Sequence, residues 1–251
     1  MRRRMAMSVM GLLAAAFLGA GCVTPAPKAP DTEALRTLKR MSEALAAATS
    51  FSFEALTATD QPDEDGRAVR VARRGRILVA RPDRMVATVK GDDGERTLWY
   101  DGRTLSLLEK DVREYATVAA PSGIDQLLDY AMYEHGLSVP VADLLFSDPY
   151  AVLTEAVLTD VHLGTERIGP HETEHLLFTQ ENVDWEIWID AGDVPVPRKI
   201  VITRKLEPGS PQFVALLGAW DLAAKPGADA FEFRVPQGAT PVTMRELLGM
   251  E

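Results

Sequence analysis

Four histidines are all the chain has, and two of them stand four apart in His171-Glu172-Thr173-Glu174-His175. On a helix that spacing puts both imidazoles on one face, roughly 6 Å apart, where they can share a zinc ion with the intervening Glu172 as general base. On a strand the same pair stands roughly 13 Å apart and cannot share an ion. Pro170 is compatible with the first turn of a helix. The residues that follow decide for a strand: His175 to Gln180 reads HLLFTQ, and soon after DWEIWID alternates apolar and polar positions. The motif therefore heads a β-hairpin entered from a turn at Gly169-Pro170. No second motif supplies a third ligand, His162 and Glu186 being merely available. A zinc-dependent hydrolase is the remote reading, and His171, Glu172 and His175 are expected to hold no metal.

Other signatures of catalysis are missing from the sequence, which has no nucleophile elbow, phosphate-binding loop, dinucleotide fingerprint or paired-cysteine metal site. No catalytic residue and no cofactor is expected, and the chain reads as a non-enzyme. The acid runs Asp63-Glu64-Asp65 and Asp92-Asp93 read as solvated turns.

Cys22, the only cysteine, is different, because its position predicts a modification. Arg2, Arg3 and Arg4 precede an apolar stretch from Met5 to Leu18, and Gly19-Ala20-Gly21 places small residues before the cysteine. That is the layout of an export signal. The apolar run falls short of the roughly 18–20 residues that span hydrocarbon as a helix, and proline follows it closely. The segment resembles the bacterial lipobox, with Gly19 where Leu is usual, which implies cleavage before Cys22 and lipid attachment to it. An ordinary signal peptide cut after Ala20 or Gly21 would instead leave a free thiol. Val23, where Gram-negative sorting signals for inner-membrane retention place Asp, implies the outer membrane. The expectation is a signal peptide over 1–21, a lipidated Cys22 with a Pro-rich tether to residue 30, and one domain over 31–251, exported and anchored at the periplasmic face of a bacterial membrane.

Loss of the signal peptide removes three arginines and no acid, taking the formal charge from −10 to −13. An acidic body of this kind excludes sequence-independent binding to nucleic acid, which needs clustered Lys and Arg.

Positioning elements follow from the periods. Asp31 to Thr49 carries apolar residues at Leu35, Leu38, Met41 and Leu45, with Asp31 or Thr32 as N-cap, and predicts an amphipathic helix. From Phe51 the period is two. Strand-like runs follow at 69–72, 76–80, 85–90, 96–100, 104–109 and 114–118, joined by short turns that make an antiparallel meander. Helical spacing returns over 123–135 and 141–153. Strands resume at 158–164, 175–180, 185–190, 197–205, 213–221 and 231–235. Alternation sets Trp185, Ile187 and Ile189 on one face, with Glu186 and Trp188 on the other.

This order predicts an α+β fold in which a large curved antiparallel sheet, an unclosed half-barrel, carries an N-terminal helix and inserted helices over its concave face. The ordering, with RPDRMVATV (81–89), LWYDGRTLSLL (98–108), SDPYAVL (147–153), DWEIWID (184–190) and VPRKIVIT (196–203), resembles the superfamily of periplasmic lipoprotein-localisation factors LolA and LolB. Within or near it, the chain is most similar to a family of predicted periplasmic proteins of unknown function. The half-barrel pattern and the lipoprotein start point to a cavity for an acyl chain, a lipid or a lipoprotein, lined by Phe53, Leu98, Tyr100, Leu144, Phe146, Tyr150, Phe178, Trp185, Ile187, Ile200 and Phe233, with 141–153 as a lid. In the alternative reading the same stripes are simply core, and the domain is an envelope sensor or scaffold that docks a protein partner through an edge or the convex face, with Trp188 as a contact.

Overall fold

The computed structural model describes residues 32–62, 67–92, 94–137 and 141–249. Cys22, the tether, Asp31, Asp63-Glu64-Asp65 and Asp93 lie outside the described residues.

Helix α1 (Glu33–Ala47) starts at Thr32, whose hydroxyl accepts the Leu35 N–H at 3.1 Å and supplies the N-cap. Its apolar stripe is fully buried at Leu38, Met41 and Leu45. Six strands follow: β1 (Ser50–Pro62), β2 (Ala68–Ala80), β3 (Arg84–Gly91), β4 (Gly94–Tyr100), β5 (Thr104–Glu109) and β6 (Glu114–Ala119). Then come α2 (Ile124–His135), a 3-10 turn at Ala142–Leu144 and α3 (Pro149–Thr154). The chain returns to strands in β7 (Thr159–Ile168), β8 (His171–Thr179), β9 (Val183–Asp190), β10 (Pro197–Arg204) and β11 (Gln212–Asp221), and ends in the short β12 (Thr240–Pro241) and α4 (Met244–Leu247).

All of these strands join one sheet in the order β12-β6-β5-β4-β3-β2-β1-β11-β10-β9-β8-β7. Its two end strands do not pair with each other, so the sheet is unclosed; it is antiparallel except where β12 runs beside β6. Two meanders therefore meet at the β1–β11 pair. Register makes one face apolar right across it. Ile77, Ala87, Leu98, Leu107 and Ala116 are successive cross-strand partners, as are Leu176, Ile187, Ile200 and Ala215, and all are buried. The buried residues of α1, α2 (Ile124, Leu127, Leu128, Ala131) and α4 (Met244, Leu247) join those strand residues in one core, at roughly 1.5–3 kcal/mol for each large apolar side chain removed from water.

Three expectations are corrected. The runs at 69–72 and 76–80 are a single strand, because β1 pairs with β2 without interruption from Ser50↔Ala80 to Pro62↔Ala68, past Gly75. The 141–153 helix is two pieces: Pro149, without an N–H to donate, and the Asp148 side chain, which accepts the Ala151 N–H at 3.0 Å, start a new helix there. Residues 231–235 form no strand. Phe231 closes a 3-10 turn at Ala228–Phe231, and the Phe233 ring packs on Trp99 and Tyr115 with centroids 5.2 and 5.4 Å away. Both rings project from the outer face, so this segment crosses the back of the sheet.

Candidate functional site

A cavity of about 140 Å³ remains between the inner face of β9 and β10 and the segment that carries the 3-10 turn and α3. From the sheet it is lined by Val183, Trp185, Ile187, Ile200 and Ile202, with Gln180 just before β9. From the covering segment it is lined by Val141, Asp143, Leu144, Val152 and Leu153. Strand period two delivers Trp185 and Ile187 to the same face, and the direct pairs Trp185↔Ile202 and Ile187↔Ile200 close the sheet side of the wall. Nine of these eleven residues are apolar.

The covering segment is tied down at its middle. The Arg81 guanidinium donates through Nη2 to the Phe146 carbonyl at 2.8 Å, and Asp125 accepts the Ser147 N–H at 2.8 Å. Burial draws the Arg81 pKa down, with Asp125 opposing. At the start of the segment Val141 has φ of 57°, a left-handed conformation that a β-branched residue adopts only under strain. Asp143 is exposed on one side, yet its apolar neighbours push the pKa of its carboxyl up.

Of the residues expected to line a cavity, Leu144, Trp185, Ile187 and Ile200 do so. Phe53, Leu98, Tyr100 and Phe178 are buried in the solid part of the core: Phe53 stacks on Trp220 at 4.4 Å, Phe178 stacks on Trp185 at 4.1 Å, and Tyr100 donates its hydroxyl to the Pro121 carbonyl at 2.6 Å. Phe146 and Tyr150 are half-buried against that core. Phe233 is a correction, since it lies on the opposite face of the sheet with Trp99 and Tyr115. Val152, Leu153, Val183 and Ile202 were missed. Their apolar spacing was visible, but which ends of the two segments meet is a tertiary fact.

The HExxH residues sit on β8, in extended backbone. His171 and His175 project from the outer face, away from Leu176 and Phe178, and they find different partners. His171 Nδ1 lies 3.1 Å from Asp190, which also binds Arg198 at 2.7 Å. His175 is buried, with Nδ1 3.1 Å from Glu166 and Nε2 2.8 Å from Glu186. Its ring stacks on Trp188, whose indole N–H donates to Glu166 at 2.9 Å and whose other face carries the Lys199 ammonium at 3.8 Å. The Trp188 and His175 hydrogen bonds hold the Glu166 carboxyl below its usual range. Among the described residues, no group of three or more His, Cys, Asp or Glu is placed to share a metal ion. Trp188, expected as an exposed contact, is 4% exposed beneath these neighbours, which corrects that expectation.

Residues 34–245 match the model of a family described as predicted periplasmic protein (DUF2092). None of the curated proteins matches the sequence. Among solved structures, an uncharacterised conserved protein from Thermus thermophilus is similar at 10% identity and a TM-score of 0.48, over 84% of this chain and 99% of that one. A LolA superfamily protein from Nitrosomonas europaea is similar at 13% identity and a TM-score of 0.41, over 80% and 97%. LprF from Mycobacterium bovis is similar at 11% identity and a TM-score of 0.44, over 83% and 98%.

Proposed function

This chain belongs to the DUF2092 family of predicted periplasmic proteins, and from that premise we propose that it is a cell-envelope lipoprotein that holds the hydrocarbon part of a lipid or lipoprotein in the cavity beneath α3. The observation that carries the reading is the apolar wall of Leu144, Leu153, Trp185, Ile187, Ile200 and Ile202 around about 140 Å³. An empty apolar space of about 150 Å³ accepts a molecule the size of benzene. As it stands the cavity therefore accommodates roughly six carbons, worth at most about 5 kcal/mol at about 0.8 kcal/mol per methylene. A longer chain requires the covering segment to shift from its strained start at Val141, against its ties to Arg81 and Asp125. Cys22 is the lipid attachment that keeps the domain at its membrane, the outer one in a Gram-negative cell.

Binding is tested by displacement of a neutral polarity-sensitive dye with straight-chain alcohols of increasing length. Affinity that rises about three- to fourfold per methylene up to roughly six carbons, and then less steeply, supports the reading. Affinity that does not depend on chain length contradicts it.

A second reading is favoured by one observation on the outer face: Leu56 and Leu216 are direct cross-strand partners, both more than 40% exposed, at the centre of the sheet. Such a pair suits docking of an envelope protein. Loss of a captured partner on changing Leu56 and Leu216 to Ser, with dye binding unchanged, would favour that role.

A further inference from the structure

We propose that the cavity selects its ligand by head group, taking an alkyl chain whose head donates hydrogen bonds and bears no negative charge, and that Asp143 is the residue that makes the selection. This rests on the reading that the cavity is the ligand site. Among the described residues, no Lys, Arg or His lines it, and its polar lining residues are Asp143 and Gln180. Asp143 is exposed where the adjacent Leu144 is 1% exposed, so the carboxyl stands where the apolar wall ends and where the head of a bound chain would emerge.

Charges around that point favour the same class. Lys205 stands beside Gln180: its ammonium donates to the Gln180 carbonyl at 2.6 Å and is paired with Asp184 at 2.8 Å. It is thus already neutralised. Among the described residues, burial alone pushes the Asp143 pKa up. A carboxylate or phosphate head placed there would face a like charge in a partly desolvated setting, within a chain of formal charge −10. An ammonium head would instead form an ion pair, and a hydroxyl would donate to a carboxylate oxygen. Pairing with an ammonium also stabilises the charged carboxylate, so amine binding should strengthen as pH rises through the range in which Asp143 loses its proton.

The test uses Nile red and three octyl compounds at neutral pH: octylamine, octanol and octanoate, each below its aggregation limit. Octylamine and octanol should displace the dye from the wild-type protein at concentrations about tenfold lower than octanoate, the size expected of one partly screened charge contact. Asp143→Asn, an isosteric change at an exposed position, should let octanoate compete about as well as octanol and should weaken octylamine. Equal competition by octanoate and octylamine in the wild type, or an unchanged order in Asp143→Asn, overturns the head-group selection while the cavity remains the site. Failure of all three compounds to displace the dye overturns the selection together with the reading on which it rests.

Discussion

The imidazole of His175 lies flat on the indole of Trp188, with centroids 3.9 Å apart and planes 16° from parallel. The two residues are direct partners across β8 and β9, so the stack is a product of register. With a carboxylate at each ring nitrogen, His175 is a structural centre of the outer face.

Replacing His175 by Ala should therefore act on stability. It leaves Glu166 and Glu186 without their imidazole partner and uncovers Trp188, for a loss of about 1–3 kcal/mol in urea unfolding. The zinc content of the purified protein should be the same in wild type and in the His171→Ala, His175→Ala double variant. Stoichiometric zinc that disappears in the double variant would revive the hydrolase reading.

Filling the cavity should separate binding from folding. Ile202 is half-buried at its wall, and Ile202→Trp places an indole in the empty space. Dye and alkyl binding should fall at least tenfold, while the unfolding midpoint changes by no more than about 1 kcal/mol equivalent, in either direction. Unchanged binding would place the ligand elsewhere.

The tie between Arg81 and Phe146 should control the covering segment. Arg81→Met keeps the aliphatic stem but removes the donor to the Phe146 carbonyl. Amide exchange over 142–154 should accelerate by about tenfold, corresponding to a local loss of roughly 1.5 kcal/mol, with exchange in β1 and β2 unchanged.

Acid should weaken the β8–β10 side of the sheet first. Burial alone would raise the Asp190 pKa, but hydrogen bonds from Arg198 and from the Gly192 N–H, with the charges of Arg198 and His171, hold it below the ordinary aspartate range. A folded-state pKa below the unfolded one stabilises above the unfolded value of about 4 and is lost as pH falls below it. The wild type should thus lose stability below about pH 4 more steeply than Asp190→Asn, as read from unfolding midpoints across the acid range. Parallel curves would show that Asp190 contributes nothing to the acid sensitivity.

Much of the fold was legible in local pattern. The 3.6-residue period of α1 and its Thr32 cap predict the helix, and period two predicts β3 to β6 and β9 to β11 nearly to their ends. A strand at the HExxH motif was legible too, from the alternation downstream. Two things were not. Phe231 and Phe233 alternate like a strand, yet Phe231 closes a 3-10 turn and Phe233 finds its aromatic partners behind the sheet. The cavity depends on how far the 3-10 turn and α3 stand from Trp185 and Ile202, a distance set by side chains from several segments. For that reason aromatic residues with the strongest sequence signal, Phe53, Tyr100 and Phe178, fill the interior, while plainer ones such as Val152, Val183 and Ile202 surround the space.

The most direct measurement of where hydrocarbon binds is photolabelling with an octyl diazirine, followed by peptide mapping of the labelled protein. Label confined to 141–153, 183–187 and 200–202, and competed by octanol, is the predicted result. Label on the outer face around Leu56 and Leu216, or none that octanol competes, would contradict the cavity as the binding site.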